Sequence, residues 1–538
     1  MGESVGAVEK IVIVGGGTSG WLTAAFLSNI CGPKSATRFD ITLVEAKDIG
    51  IIGVGEATIP TLRNTIPKTG IAERVFFREC NASFKLGIKF VDWHYAPEER
   101  PGDTFWNPFG VLPTAWSVPA MDFWLAQHAD ESPEHFTDLF TVHTQLAREM
   151  KCAKAPESGD FEGLVSYAYH MDTRLFGRLL REKSMARGVQ RIEDKVTDVV
   201  LDERGWIEKI QLAEHGELSA DLYIDCTGFR ALLLQQAMGE RFNSFEKSLL
   251  CDSAIAISKP WPEDLGGLRP YTTATAHRAG WSWNIPLQSR EACGYVYSAK
   301  HVTPDEAETE FRKFIGDEKG ENPALHIKMK TGRVDNFWVN NCIAIGLSGG
   351  FIEPLESTGI YMVEAGLYEL EQYFPNKDMS QAHRDLYNRH MRFTYDQTKD
   401  FIVYHYCMTE REDTAFWRDN KYGLEKPEEL QALLRLWESK VPSVTDFTPL
   451  VFSQDHYSFL MVGHRAWPKA RTPRQSLVQT EDLAGLVRLV DERKKRWVPL
   501  AVDQLTWLRE NNAGKEDPVH RPGDPPRRGD GFGRVGAV

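Results

Sequence analysis

The glycines at positions 15, 17 and 20 restrict what this chain can fold into more than any other feature. Lys10-Ile11-Val12-Ile13-Val14 is a short β-branched run that stops at Gly15-x-Gly17-x-x-Gly20, and Trp21 to Ile30 continues with helical apolar spacing. A strand that ends in this pattern and opens into a helix reads as a dinucleotide-binding βαβ unit. The glycines give a tight turn and let backbone approach a pyrophosphate, while the first helical amides, Thr18 and Ser19 among them, face the phosphates. The next apolar run, Ile41-Thr42-Leu43-Val44, ends in Glu45. A carboxylate at that strand end accepts hydrogen bonds from ribose hydroxyls. The pattern alone does not separate NAD from FAD.

Further strand-like runs lie far along the chain, at Thr197 to Leu201, Leu222 to Asp225 and Cys342 to Ile345, so the sheet is expected to be assembled from distant segments. From about Met379 to Leu508 glycine thins out, and patterns such as Leu430-Gln431-Ala432-Leu433-Leu434-Arg435-Leu436-Trp437 predict helices. The expected fold is therefore α/β. A Rossmann-like FAD module of the hydroxylase or glutathione reductase type, residues 1–375 with substrate-region insertions, is interleaved with a mainly helical substrate-binding region, 376–512. Residues 513–538 mix Pro, Gly and charge without periodicity and are expected to form a disordered tail.

Composition removes several classes of function. A formal charge of -13 with no Lys/Arg block repels polyanions, so no nucleic acid partner is expected. The eight cysteines are dispersed without metal-ligand spacing, which predicts no metal site and suits reduced thiols in a cytoplasmic protein. The N-terminal apolar stretch is broken by Gly15-Gly16-Gly17, so neither a signal peptide nor a membrane span is expected.

Asp221-Leu222-Tyr223-Ile224-Asp225-Cys226-Thr227-Gly228 and Asn341-Cys342-Ile343-Ala344-Ile345-Gly346 look like the strand-then-glycine segments of FAD proteins of the hydroxylase type, which favours FAD. There the second segment continues Gly-Asp, whereas here Leu347 follows Gly346.

Five segments carry a closer resemblance: Gly15 to Gly20 followed by Trp21; Gly53-Val54-Gly55-Glu56-Ala57-Thr58-Ile59-Pro60; Phe84-Lys85-Leu86-Gly87-Ile88-Lys89-Phe90; Trp281-Ser282-Trp283-Asn284-Ile285-Pro286; and Glu353-Pro354-Leu355-Glu356-Ser357-Thr358-Gly359-Ile360. In register from about Glu9 to Asp419, the chain resembles the flavin-dependent tryptophan halogenases. The resemblance implies that reduced FAD and O2 oxidise chloride or bromide to hypohalous acid, which crosses an internal tunnel to Lys85 beside an aromatic substrate. Lys85 would hold it through its ammonium or carry the halogen on its amine. Glu356 would stabilise the cationic ring or take its proton. Thr358 and Gly359 match halide-site positions; Val196, Leu347 and Ile360 match positions on the cofactor; Trp281 and Trp283 match a patch that shields the flavin. The spacing of Ile360, Val363, Leu367, Leu370 and Phe374 predicts a helix whose first turn is Ser357-Thr358-Gly359, suited to a bare halide. No second nucleotide fingerprint is present, so a separate flavin reductase is expected to supply reduced FAD. A homodimer is compatible with the resemblance.

The substrate side departs from the tryptophan-specific members. Asn107-Pro108-Phe109 keeps only the Phe of their His-x-Phe, the stretch from Thr445 to Ser453 is too short for their Tyr-Tyr-x-Glu, and Val451-Phe452-Ser453-Gln454 replaces their Phe-Trp-Leu-Asn. Phe109 and Phe452, with Glu356, are expected to hold a flat, indole-like ring. Two other readings stay open: an FAD-dependent aromatic monooxygenase, disfavoured by the absent Gly-Asp and the Trp-x-Trp-x-Ile-Pro patch, and a flavin-binding protein without turnover, disfavoured by Lys85 with Glu356.

Overall fold

Strand Lys10–Val14 is the centre of a six-stranded sheet in the order 190–193, 40–45, 10–14, 222–225, 342–344, 338–339. The computed structural model describes residues 6–30, 39–47, 55–116, 118–128, 131–261, 266–448, 451–470, 472, 474–476 and 479–511. The expected tail at 513–538 lies outside them, as do Cys31, Gly53 and Val54. The first five strands run parallel and the last is antiparallel. In register, Val14 sits between Val44 and Asp225, so the carboxyl ends of three sequence-distant strands converge at the glycine turn. Helix Thr18–Leu27 is buried from Gly20 to Leu27, and it packs against Thr173–Ala186 and Gly359–Gln372. Being covered on all sides, it is apolar on all sides.

A seven-stranded sheet, order 324–328, 253–260, 290–297, 280–286, 272–277, 87–91, 104–108, forms the second layer. It is antiparallel except where Thr272–His277 runs parallel to Gly87–Val91. Sequence reading did not anticipate this sheet as a unit. Two of its pairings, 253–260 with 324–328 and 87–91 with 272–277, join distant segments, and its central strands, buried on both faces, lack the alternation that marks a half-exposed strand.

A small sheet joins the layers. Strand Ala168–Met171 lies between Glu56–Ala57 and Ser83–Lys85, pairing Met171 with Glu56 and Ala168 with Lys85. Two ionisable side chains are thereby fixed on opposite sides of one strand.

Helices dominate after residue 376, including Gln381–Cys407, Glu428–Trp437, Gln454–Gly463 and Thr480–Trp497. One contiguous apolar core runs from Val8 to Leu508 through both layers and these helices. Helix Gly359–Gln372 buries Ile360, Val363, Leu367 and Leu370 as the spacing requires, but Phe374 falls beyond its end. It also begins later than expected: Ser357 takes a left-handed backbone (φ 61°) and Thr358 is the N-cap, so Gly359 is its first residue. Among the described residues no helix is long and apolar enough to cross a membrane.

Candidate active site

The glycine turn meets the steric demands of a dinucleotide. A Cβ on Gly15, whose φ is 115°, would stand 2.1 Å from Cys226 O, and one on Gly20 would stand 1.9 Å from Gly15 O, so both glycines are required by packing. At Gly17 an added Cβ would meet nothing within 4 Å. Its face is therefore open, the property a pyrophosphate approaching the backbone needs. Gly17 is also the N-cap and has no side chain to bond the amides of Thr18 and Ser19. Gly346 (φ 80°) packs so closely on Ser19 that a Cβ would lie 2.9 Å from Ser19 Cβ, which brings Leu347 to the same helix end.

Glu45 ends its strand beside this turn. One oxygen accepts from Arg191 Nε at 2.5 Å and the other from Trp21 Nε1 at 3.1 Å. Each keeps a lone pair for a ribose hydroxyl. The Asp194 amide donates to Glu45 O at 2.9 Å, which sets the following strand, Val196–Leu201, at this edge with Val196 half-buried. These residues fit an FAD.

Lys85 is fully buried. Its Nζ donates to Thr58 O at 3.0 Å and to Ser357 Oγ at 2.8 Å, and it lies 5.2 Å from the centroid of the Phe109 ring. Burial lowers its pKa to about 7, against the pull of Glu356 and Glu56, both of which favour the ammonium. Two acceptors match the two N–H bonds of a neutral amine and leave its lone pair free, whereas an ammonium would need a third.

Glu356 follows Leu355 in the one-turn segment Pro354–Glu356 and is 2% exposed. Asn107 Nδ2 donates to both of its oxygens at 3.0 Å, and His405 Nε2 lies 2.7 Å from Oε1. His405 Nδ1 lies 2.8 Å from Phe401 O, a carbonyl that can only accept, so that nitrogen carries a proton. The second bond needs a proton too, whether it sits on His405 or on Glu356. The pair is neutral as a unit, which lowers the cost of burying a carboxyl here. Asn107 is held in turn by His456 Nδ1, 2.8 Å from its Oδ1.

In the sequence Asn107 stands out only where the resemblance expects a histidine. Its replacement at a motif position was the signal that it had another task. His405 and His456 gave no local signal, because His405 reaches Glu356, and His456 reaches Asn107, from two helices that lie 49 and 100 residues downstream of Glu356.

Trp281 and Trp283 project from strand Gly280–Pro286 with ring centroids 6.1 Å apart. Trp281 Nε1 donates to Glu353 Oε1 at 3.2 Å, which ties the patch to the segment carrying Glu356. Trp283 lies flat over Gly294, where a Cβ would meet the indole at 2.0 Å. Burial raises the Glu353 carboxyl to about 7.

Thr358 is 1% exposed, and its hydroxyl neither caps the helix nor finds a partner among the described residues. Gly359 follows as the first helical residue and Ile360, 7% exposed, as the second. Phe109 is 9% exposed and packs with Ile59 and Ala168. Phe452 stacks on Phe401 at 3.9 Å between centroids, so one of its faces is already occupied. No group of three or more His, Cys, Asp and Glu among the described residues is arranged to hold a metal ion.

The tryptophan halogenase family profile matches residues 10–480. The 7-chloro-L-tryptophan 6-halogenase KtzR of Kutzneria sp. (strain 744) is 38% identical over 472 residues, covering 84% of this chain and 89% of the relative. The solved tryptophan 6-halogenase SttH from Streptomyces toxytricini superposes with a TM-score of 0.86 at 35% identity, covering 94% of this chain and 100% of that one. A tryptophan C-6 flavin-dependent halogenase (chlorinase) from taromycin biosynthesis matches with the same score, identity and coverage. With this family profile over most of its length and these relatives in sequence and structure, this chain belongs to the flavin-dependent tryptophan halogenases, enzymes of the oxidoreductase type.

Proposed function

We propose that this enzyme halogenates an electron-rich, indole-like ring, with Lys85 as halogen carrier and Glu356 as the carboxylate facing the ring. Gly15, Gly17, Thr18, Ser19, Gly20, Glu45, Val196, Leu347 and Ile360 would hold FAD, whose reduced form, together with O2, would supply the chemistry that oxidises halide to hypohalous acid. A reductase supplying reduced FAD fits the lack of a second nucleotide fingerprint. Thr358 and Gly359 hold the halide at a helix N-terminus, where free amides and the dipole favour an anion. Trp281 and Trp283 keep the organic substrate apart from the cofactor.

The observation that carries this reading is the state of Lys85, a buried amine with two acceptors and a pKa near 7. A neutral amine takes the halogen from hypohalous acid as an N–X bond forms and water leaves; it then passes the halogen to one ring carbon, the N–X bond breaking as the nitrogen takes up one proton, which the proton later lost by the ring balances over the cycle. The ring becomes cationic and must lose a proton. Glu356, fixed by Asn107 and His405, stabilises the cation and accepts that proton.

On the substrate side, Phe109 and the face of Phe452 away from Phe401 are the aromatic contacts. Asn107 is committed to Glu356 and His456, so this group does not serve an amino-acid moiety. The deciding experiment incubates the enzyme with a flavin reductase, NADH, FAD, oxygen and bromide or chloride against a panel of indoles, phenols and free tryptophan, with product mass as readout. Hydroxylated products without halogen would overturn the proposal in favour of an aromatic monooxygenase.

A further inference from the structure

Making hypohalous acid consumes a proton. Reduced FAD (as FADH2), O2, one halide and one H+ give FAD, one hypohalous acid and one water; flavin and halide each lose two electrons and O2 gains four. Lys85 and Glu356 belong to the later transfer to the ring, which leaves the source of this proton unassigned.

We propose that Glu56 is the acid of the halide-oxidising half of the site, protonated while a halide occupies the N-terminus of helix Gly359–Gln372 and giving up that proton as hypohalous acid forms. The inference rests on the halide reading of Thr358 and Gly359 above. Its first support is placement. A Cβ built on Gly359 would stand 3.2 Å from Glu56 Oε1, so the carboxyl borders the first residue of a 14-residue helix. The second is the Thr358 hydroxyl at the same helix end, buried and without a partner among the described residues, where a ligand would complete it.

A halide and a carboxylate at one helix end repel each other, so halide binding selects the neutral acid. Burial already favours that form, raising Glu56 to about 7, and Lys85 is the charge that opposes it. The other ionisable groups on the surrounding elements are otherwise engaged. His170, on the strand beside Glu56, lies between Ser83 and Thr272 and is kept neutral by burial and by Lys85. Glu364, on the helix, accepts from Thr61 and Thr65 and is itself raised to about 7 by burial. Tyr361 is held well above its usual range by burial. Glu356 bonds Asn107 and His405.

Glu56 as acid with Lys85 as amine contains the same number of protons as carboxylate with ammonium, but no charge. The uncharged arrangement, which burial prefers, is the one in which both groups are chemically ready. Glu56 can give a proton to nascent hypohalous acid, and Lys85 can receive the halogen. Part of Glu56 remains accessible, as contact with a halide requires.

The test is calorimetric titration of bromide into the FAD-loaded enzyme and its Glu56→Gln variant between pH 6 and 9, in two buffers of different ionisation enthalpy to count protons. The wild type should lose about tenfold in bromide affinity per pH unit above about 7.5 and take up close to one proton per bromide at pH 8.5. Glu56→Gln, a neutral isostere, should bind bromide equally at all these pH values with no uptake. At saturating bromide it should form hypobromous acid, trapped by an added thioether, at least about tenfold more slowly, and Glu56→Asp should recover part of that rate. Wild-type binding without proton uptake overturns the inference even if the variants do not fold. A variant with wild-type linkage, or with the wild-type rate at saturation, also overturns it while leaving the halide site standing. Absence of any bromide binding at any pH would remove the halide reading and this inference together.

Discussion

At the residue scale the proposed mechanism separates the site into groups that act before and after hypohalous acid exists. Lys85 belongs to the later half, so Lys85→Ala should bind FAD and consume NADH through the reductase as the wild type does, while aromatic product disappears. Stopped-flow flavin spectra and product mass from the same samples measure both; near wild-type product would remove Lys85 as carrier. Glu356→Gln keeps shape and removes charge, and should slow halogenation by at least about 10²-fold with FAD binding intact. The state of Lys85 also sets a pH dependence. Its pKa is lowered to about 7, so the amine fraction rises as pH climbs through 7. Loading with externally supplied hypobromous acid, read as the mass gain of the protein, should therefore rise between about pH 6 and 8 and then level off; a flat or falling profile would favour the ammonium as a hydrogen-bond donor instead. Lys85, Glu356, Thr358 and Gly359 were legible as motif positions. Their supports were not, because Asn107, His405 and His456 come from three other elements that meet only on folding.

At the scale of single elements, the nucleotide turn was the most legible part of the chain, since strand, turn and helix are contiguous. Its glycines do different work, and two substitutions should separate them. Gly17→Ala adds a Cβ that meets no protein atom within 4 Å, so the variant should keep its thermal stability yet lose at least about tenfold in FAD affinity by fluorescence titration. Gly20→Ala forces a Cβ to 1.9 Å from a backbone carbonyl and should cost roughly 1–3 kcal/mol in stability. Equal FAD affinity in Gly17→Ala and the wild type would count against a pyrophosphate at this turn. The helix at 359–372 was less legible at its start. Its apolar spacing was plain, but the left-handed Ser357 that delays it and turns its hydroxyl to Lys85 is a feature of backbone geometry.

At the scale of the whole molecule, substrate preference is decided by what surrounds the ring. The resemblance implies that Asn107-Pro108-Phe109 and Val451-Phe452-Ser453-Gln454 lack the polar grip on an amino-acid group expected of tryptophan-specific members. Indole should therefore be halogenated with a higher kcat/KM than free tryptophan. A tenfold preference for tryptophan, on the order of 1.4 kcal/mol of transition-state binding, would contradict it. Phe452 shows the limit of local spacing: its aromatic character is visible in the sequence, but Phe401, which covers one of its faces, lies about fifty residues away on helix Gln381–Cys407. The sequence by itself determined the nucleotide turn, the apolar helix spacing and the candidates for the reactive groups, because each depends on residues within one turn or strand. Only the tertiary structure decided that Ala168–Met171 separates Glu56 from Lys85, that a seven-stranded sheet backs the site, and that burial draws both groups toward neutrality. Such effects depend on which distant segments exclude water from a side chain, and local spacing contains no record of that.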